Sequence, residues 1–472
     1  MRELLVSNRR YFLSLTLVAI ALRLYFALYI PVVTGDSLVY ADIARNILNY
    51  HVYGVSGSEG LHSTLIRLPG FPLFLAAIFK IFGQDHWRAV MIVNTIIDLA
   101  TCFVVAEAAR RMISSRAAKF TFALAAICPF TANYVATGLT ETLSIFLTSV
   151  TILFAVIGFE EKRFAPWIFC GLSLAAAILV RPDGGWLLGA VGLTMLIRIW
   201  TIPGERRVLF KAGVLVLVIS LAPLIPWTIR NWRVFHVFQP LVTVHASDPG
   251  EWEPENWNKW TYSWLADYAS MEDVIFNVSG QPIDINDIPS RAFDSPAEKE
   301  KVSQLIAEYN AQDYTLTPEI DAQFAPLVQS QIRKHPIRYF LIMPAVRVVD
   351  MWLRPRTEML PLDTHWWRFS EDIHDSLWAT GLMLLNLALA YIALRGIFSG
   401  PPIRVITLLL LFLVIRSLLL TITGVVEDRY TLECFPCLFI LGGRYLAGTQ
   451  MLRRPTFRFS KTTSRVPISI VV

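Results

Sequence analysis

The chain has 472 residues and a mean hydropathy of +0.50, with 54% hydrophobic and 17% charged residues. This apolar content exceeds what the core of a soluble domain needs, and it indicates a protein that is solvated by a lipid bilayer. The net charge of +5 does not indicate a nucleic-acid partner, because the basic residues cluster beside apolar runs, where they set membrane orientation.

Apolar runs near 20 residues predict transmembrane helices, because a lipid core leaves backbone polar groups no partner outside the helix. Such runs lie at residues 11–33, 87–109, 118–136, 139–158, 164–180, 184–199, 208–227, 376–394, 403–424 and 434–451. The alternation of apolar and polar residues that is typical of membrane β-barrels does not appear. We therefore predict an all-α polytopic membrane protein with about ten spanning helices, the first of which stays as a signal anchor.

Basic residues predict the orientation of these helices. When the chain is threaded alternately through the membrane, one side collects Arg9, Arg10, Arg110, Arg111, Arg116, Lys119, Lys162, Arg163, Arg206, Arg207, Lys211, Arg395, Arg404, Arg453 and Arg454. Positively charged loops remain in the cytoplasm, so both termini are predicted to be cytoplasmic and the protein to reside in the cytoplasmic (inner) membrane. The outer, periplasmic side then receives residues 35–86, the turns at Gly138 and Arg181, residues 230–375 and the loop at Glu427.

Two further apolar pieces, residues 70–83 and 336–353, are predicted to be interfacial helices, because one additional crossing would move the later basic loops outside. The predicted organisation is an N-terminal membrane module (1–232) with a first outer loop (34–86), a mixed outer loop domain with its interfacial helix (233–375), C-terminal spans (376–451) and a cytoplasmic tail (452–472). Within the polar, Trp-rich outer segment we expect a helix near residues 297–309.

The first outer loop places two carboxylates, Asp36 and Asp42, directly after the first span. Apolar residues near helical spacing predict an interfacial helix over residues 36–50. Asp36 is either a helix cap or a base that deprotonates or orients an acceptor hydroxyl, and the spacing alone does not decide between them.

Six short motifs lie in order at predicted outer ends of helices. They are Gly35-Asp36 with Tyr40, Arg67-Leu68-Pro69-Gly70-Phe71-Pro72, Thr140-Glu141-Thr142, Arg181-Pro182-Asp183-Gly184, Pro226-Trp227 with Arg230-Asn231, and Glu427-Asp428-Arg429-Tyr430. Together they resemble the bacterial members of the protein mannosyltransferase superfamily, which are GT-C glycosyltransferases and include the aminoarabinose transferases. The resemblance covers most of the membrane part, whereas residues 242–334 match no known pattern.

The resemblance implies that the first outer loop supplies an acidic residue near the transferred sugar, which here is Asp36. Classical eukaryotic members have Asp-Glu at this point, but this chain has Asp36-Ser37, so a second carboxylate, where the reaction needs one, must come from elsewhere. Asp42 and Glu141 are the candidates, and for Glu141 the alternative is a first-turn acid favoured by the helix dipole.

Arginine suits the recognition of a lipid phosphodiester, and several arginines lie outside against the positive-inside trend. The candidate residues for donor phosphate and sugar binding are Arg67, Arg181, Arg230, Arg429, Tyr430 and Glu427. Structural arginines whose heads reach the membrane surface are the alternative for each one. Asp98 and Arg416, which lie within spans, are interpreted as structural hydrogen-bonding residues rather than as a transport site.

The resemblance implies a glycosyltransferase that moves a hexose or pentose from a polyprenyl-phosphate donor to a glycolipid, protein or polysaccharide at the outer face, with inversion. The alternatives are a flippase or exporter of lipid-linked sugars and a glycan polymerase or ligase on a similar scaffold. No metal-ligand or phosphate-loop motif occurs, so no cofactor is implied; a divalent metal stays open because some members of the wider GT-C class use one.

Overall fold

The structure is a computed structural model that describes residues 1–58, 60–161, 163–243 and 247–452. Lys162, Arg453, Arg454 and nearly all of the predicted tail therefore lie outside the described residues. The longer helices are Arg9–Tyr29, Gly35–Tyr50, Gly70–Phe82, Trp87–Met112, Ser115–Ile127, Glu141–Glu161, Phe164–Val180, Gly185–Thr201, Arg206–Leu221, Leu224–Phe235, Pro296–Ala311, Pro318–Lys334, Met343–Leu353, Ile373–Phe398, Ile406–Leu420 and Phe435–Leu452.

Short elements connect these helices. They are the α-helices Arg2–Ser7, Pro129–Asn133, Glu255–Tyr262 and Tyr268–Ser270, the 3₁₀ turns Tyr134–Ala136, Pro182–Gly184, Pro203–Glu205, Ser290–Ala292 and Asp428–Cys434, and the π turns Met271–Ile275 and Arg338–Ile342. Strands Gly54–Gly57 and Gly60–Ser63 form an antiparallel hairpin in which Val55 lies opposite His62.

The all-α membrane architecture predicted from the sequence is confirmed. Six helices of the described chain are long and apolar enough to cross a membrane: Arg9–Tyr29, Trp87–Met112, Glu141–Glu161, Pro182–Thr201, Pro203–Phe235 and Ile373–Phe398. Gly70–Phe82, Phe164–Val180 and Ile406–Leu420 are shorter apolar helices. The number of crossings, about ten from the sequence, stays a prediction.

The run at 118–136 is not one helix, as the sequence predicts, but breaks after Ile127 at the Cys128-Pro129 step. Proline has no N–H, so the Ala125 carbonyl loses its partner in the helix. Arg23 replaces it: Nη2 donates to the Ala125 carbonyl at 3.0 Å, and Nη1 donates to that of Ala126. Arg23 Nε also donates to Asp98 Oδ2 at 2.7 Å, so Asp98 is structural, as predicted.

The predicted interfacial helices of the first outer loop pack against each other. Tyr40 contacts Phe71 edge to face with ring centroids 4.9 Å apart. A Cβ added at Gly70 would lie 2.6 Å from the backbone of Leu179, so only glycine permits this approach to the end of Phe164–Val180. The close approach brings the chain that follows Arg67 beside the turn at Arg181.

The segment that is predicted to be outer forms a helical unit, the outer unit, around buried aromatic residues, among them Trp257, Trp260 and Phe324. The helix expected near residues 297–309 is confirmed as Pro296–Ala311. The same apolar cluster includes Met351 from the helix Met343–Leu353, Leu420 from the end of Ile406–Leu420, and Val426 from the loop that follows it. The outer unit is therefore packed directly against the chain that leads to Arg429.

Candidate active site

Asp36 is not the cap of its helix. Thr34 caps Gly35–Tyr50, since its Oγ1 accepts from the Ser37 amide at 3.3 Å while Ser37 Oγ accepts from the Thr34 amide at 3.2 Å. The Asp36 carboxylate instead contacts two arginines, one with each oxygen: Arg67 Nη2 donates to Oδ1 at 2.7 Å, and Arg429 Nη2 donates to Oδ2 at 3.2 Å. The helix cap proposed as an alternative role for Asp36 thus belongs to Thr34.

Glu141 begins the helix Glu141–Glu161 and belongs to the same group of paired charges, the Asp36 cluster. Arg181 Nη1 donates to Glu141 Oε1 at 2.7 Å, and Arg429 Nη1 lies 4.0 Å from the same oxygen. The other carboxylate oxygen, Oε2, is buried and has no hydrogen-bond partner in the described part of the chain. Glu141 therefore connects the two arginines that approach the site from different helix ends.

Arg181 also joins the site to residues that the sequence analysis did not assign to it. Its Nε lies 3.2 Å from Asp183 Oδ1 and 3.4 Å from Glu433 Oε1. Both carboxylates also pair with Arg416, whose Nη1 lies 2.6 Å from Asp183 and whose Nη2 lies 2.9 Å from Glu433. Arg416 is hydrogen-bonded, as predicted, but through these partners it belongs to the site.

Glu427 and Tyr430 complete the cluster from the last outer loop. The Tyr430 hydroxyl donates to Glu427 Oε1 at 3.0 Å, and Glu427 also pairs with Arg429 Nε. The guanidinium groups of Arg181 and Arg429 lie 5.2 and 5.4 Å from the centroid of the Tyr430 ring, within cation–π range.

The cluster is open to solvent at one end and closed at the other. The side chains of Asp36 and Arg67 are 33% and 21% exposed, whereas those of Glu141 and Arg416 are 1% and 2% exposed. Burial raises the pKa of Asp36, but the charges of Arg429 and Arg67 outweigh it and hold that pKa below its ordinary value. Asp36 is therefore ionised in this arrangement at neutral pH.

A second buried set of residues fixes the turn that carries Arg429. Arg356 Nη1 donates to the Asp428 carbonyl at 2.9 Å, and its Nη2 donates to Thr431 Oγ1 at 2.7 Å. The Asp428 amide donates to Glu358, and the Tyr134 hydroxyl donates to the other oxygen of Glu358 at 3.2 Å. Burial, followed by the negative charge of Asp428, raises the pKa of Glu358.

Two predicted site residues lie outside the cluster. Asp42 accepts from the Ser56 amide at 2.7 Å and pairs with Arg45, so it holds the hairpin against its helix. Arg230 donates to the carbonyls of Thr64 and Tyr53, each at 2.7 Å. The structure therefore brings together Asp36, Glu141, Arg67, Arg181, Glu427, Arg429 and Tyr430, and it separates Asp42 and Arg230 from them.

Among the described residues, Asp372, His374 and Asp375 could share a metal ion, since one potential ligand atom from each lies within 4.8 Å of the others. His374 and Asp372 are exposed, and none of the three contacts the Asp36 cluster in the described interactions. These three residues therefore lie apart from the candidate active site.

The chain is similar to known proteins in sequence and in fold. The family model described as dolichyl-phosphate-mannose-protein mannosyltransferase matches residues 67–229. The crystal structure of the Archaeoglobus fulgidus oligosaccharyltransferase tethered with an acceptor peptide aligns with a TM-score of 0.52 at 11% identity, over 93% of this chain and 50% of that one. ArnT from Cupriavidus metallidurans bound to undecaprenyl phosphate aligns with a TM-score of 0.40 at 16% identity, over 93% of this chain and 77% of that one.

The chain thus spans about half the length of the archaeal oligosaccharyltransferase whose fold it shares. A search of curated proteins gives no match. The match over residues 67–229 contains Arg67, Glu141 and Arg181, three of the residues that meet in the cluster. The family match over residues 67–229 and the fold shared with the archaeal oligosaccharyltransferase confirm the resemblance to the protein mannosyltransferase superfamily that the six motifs indicate.

Proposed function

We propose that this protein is a glycosyltransferase that moves one sugar from a polyprenyl-phosphate carrier to an acceptor hydroxyl at the outer face of the membrane. The observation that carries the proposal is the contact of Asp36 with both Arg67 and Arg429 at the open end of a cluster built from helix ends. Such a site combines a carboxylate that can take a proton with guanidinium groups that can bind a phosphate.

The chemistry is a displacement at the anomeric carbon of the donor sugar. Asp36 accepts the proton of the acceptor hydroxyl while the oxygen of that hydroxyl forms the new bond to the anomeric carbon. The bond from that carbon to the phosphate oxygen breaks, and its electron pair stays on the phosphate, which Arg67 and Arg429 stabilise as it leaves. A single displacement of this kind inverts the anomeric centre.

Glu141, Arg181, Glu427 and Tyr430 have a supporting role in this proposal. Glu141 contacts Arg181 and lies near Arg429, while the Tyr430 ring lies within cation–π range of both guanidinium groups. They hold the arginines where the phosphate is expected, which lowers the cost of ordering long side chains when the donor binds.

The proposed site faces the periplasm, and both termini are cytoplasmic. The contacts of the predicted inner loops support the threading on which this orientation rests, since Arg111 and Arg404 both donate to Glu160, at 2.9 and 3.1 Å, and the three residues therefore lie on the same side. Reporters fused after Arg110 and Arg206 are expected to be cytoplasmic and one after Gly280 external. A cytoplasmic position for Gly280 contradicts the proposed orientation.

A transfer assay in detergent tests the function, because transport across a membrane has no meaning there. Mass spectrometry of the lipid that copurifies with the protein identifies the carrier to use as donor. Asp36→Asn is expected to keep the fold and to lower transfer at least about a hundredfold, the usual scale for a positioned base. Transfer near the wild-type rate in a folded Asp36→Asn protein excludes Asp36 as the base, and the absence of transfer by the wild type contradicts the function.

A further inference from the structure

The arginines of the site are already neutralised by the protein itself. Each arginine in the cluster has at least one carboxylate within ion-pairing distance. The cluster contains four arginines (Arg67, Arg181, Arg416, Arg429) and five carboxylates (Asp36, Glu141, Asp183, Glu427, Glu433). A phosphate that approaches this arrangement meets guanidinium groups that are already paired, so a carboxylate must withdraw before the phosphate gains a full ion pair.

Asp36 is the carboxylate best able to withdraw. It is the most exposed of the five, whereas Glu141, Glu427 and Glu433 are buried. The cap of its helix is made by Thr34 and Ser37, so movement of the Asp36 side chain leaves the capping hydrogen bonds intact. Apart from the adjacent residues and the backbone of its own helix, no atom lies within 4 Å of a Cβ placed at the neighbouring Gly35, so there is space beside the helix start.

The geometry of Asp36 also imitates a phosphate. One oxygen contacts Arg67 and the other contacts Arg429, as two non-bridging phosphate oxygens would in bridging the same guanidinium groups. Arg67 and Arg429 are in turn held from behind, since the Tyr53 hydroxyl donates to the Arg67 carbonyl at 2.8 Å and Arg356 holds the turn at Asp428. The backbone that carries the two arginines is thus fixed, and the partly exposed carboxylate between them is the group that can move.

On the basis of the function proposed above, we infer that Asp36 occupies the phosphate-binding position of Arg67 and Arg429 in the empty site, and that the phosphate of the donor displaces it. Displacement does two things at once. The phosphate takes the two guanidinium groups, and the Asp36 carboxylate is released toward the acceptor.

Release also makes Asp36 a stronger base. In the empty site the two arginines hold its pKa down against the effect of burial. Once the phosphate takes them, burial and the nearby phosphate charge both favour the protonated form of Asp36. The enzyme therefore gains its base when a donor is bound, and the proton that Asp36 accepts comes from the acceptor hydroxyl as the glycosidic bond forms.

The test is the affinity of purified full-length protein for undecaprenyl phosphate, measured by displacement of a fluorescent polyprenyl phosphate in detergent. Asp36→Asn removes the charge that competes with the phosphate. It is expected to tighten binding by about tenfold, which is the usual effect of one charge-assisted contact. The matched control is Asp85→Asn, which removes a carboxylate from the same outer loop that pairs with the surface residue Arg45. The control is expected to bind like the wild type.

The outcomes separate the inference from the function. Tighter binding by Asp36→Asn alone supports displacement, and equal or weaker binding in Asp36→Asn overturns it even where the wild type transfers sugar. Equal tightening in Asp85→Asn also overturns it, because a general change in surface charge then explains the result. Inorganic phosphate in place of the lipid tests whether the phosphate alone suffices; failure of wild type and Asp36→Asn to bind either compound contradicts both the inference and the proposed donor.

Discussion

Two arginine–carboxylate contacts in this protein have the same 2.7 Å distance and different surroundings. Arg23 and Asp98 lie inside the helix bundle with 0% and 3% exposure, and the remaining N–H groups of Arg23 go to backbone carbonyls and to Cys102. Arg67 and Asp36 lie at an open helix end, and Asp36 is shared with a second arginine from the last outer loop. The first contact completes a broken helix, whereas the second keeps charged groups accessible.

The comparison shows that a short ion pair does not by itself separate structure from chemistry. What differs is the number of partners and the access to solvent. In the inner pair the hydrogen bonds join one arginine to fixed neighbours, so a ligand has no route to it. In the Asp36 cluster two arginines share one partly exposed carboxylate, so a competing anion can replace that carboxylate as their partner.

The largest effect is expected from breaking the inner pair. Arg23→Ala leaves the Asp98 carboxyl group without a partner and the Ala125 carbonyl without a hydrogen-bond donor. The loss should lower the free energy of unfolding by about 3 to 5 kcal/mol. Thermal melting of the purified protein measures this loss. Replacing both Arg23 and Asp98 with Leu should cost less, and an unchanged melting temperature in Arg23→Ala contradicts a structural role for the pair.

A smaller effect, visible in binding rather than in folding, is expected in the outer cluster. Arg429→Ala removes a charge-assisted contact to the donor phosphate, worth about 1.5 to 3 kcal/mol, so affinity for polyprenyl phosphate should fall about ten- to a hundredfold. Lysine should restore only part of it, because it lacks the planar fork.

The control for Arg429→Ala is Arg45→Ala, which removes an arginine that pairs with Asp85 at the surface of the same side. Its affinity for polyprenyl phosphate should equal that of the wild type. Unaltered affinity in Arg429→Ala, measured on protein with a normal melting temperature, removes Arg429 from the phosphate site.

The smallest effect is expected at Arg230, whose contacts resemble those of the structural residue Arg23 more than those of Arg67 and Arg429. The sequence alone makes Arg230 a candidate for binding the phosphate. Its guanidinium group, however, donates hydrogen bonds to the carbonyls of Thr64 and Tyr53. Arg230→Ala should lower stability by about 1 to 3 kcal/mol, the cost of leaving such carbonyls unpaired. Affinity for polyprenyl phosphate should change little, and a tenfold loss of affinity at normal stability would return Arg230 to the phosphate site.

The sequence predicts the helices well because hydropathy and periodicity are local properties. The helix predicted over residues 36–50 is found as Gly35–Tyr50, and residues 70–83 are found as Gly70–Phe82. The run at 118–136 fails as a single helix because average hydropathy does not register the missing N–H of Pro129.

The candidate site is only partly predictable for a related reason. Asp36 and Arg429 are 393 positions apart, and no local pattern shows that they meet. The motifs identify both as outer residues, but the sharing of Asp36 by two arginines requires packed helices. Asp183 and Glu433 are not predicted as site residues for the same reason, although Asp183 is part of the Arg181-Pro182-Asp183-Gly184 motif.

The shared core of the outer unit and the loop before Arg429 has a consequence for protein engineering. Val426 belongs to the same apolar cluster as Trp260 and Phe324, and the Tyr262 hydroxyl donates to the Thr421 carbonyl at 2.9 Å. A chimera that takes residues 255–334 from a relative would face a foreign surface at residues 420–426. Exchange of the outer unit should therefore succeed only when that loop and Met351, which belongs to the same apolar cluster, are transferred together.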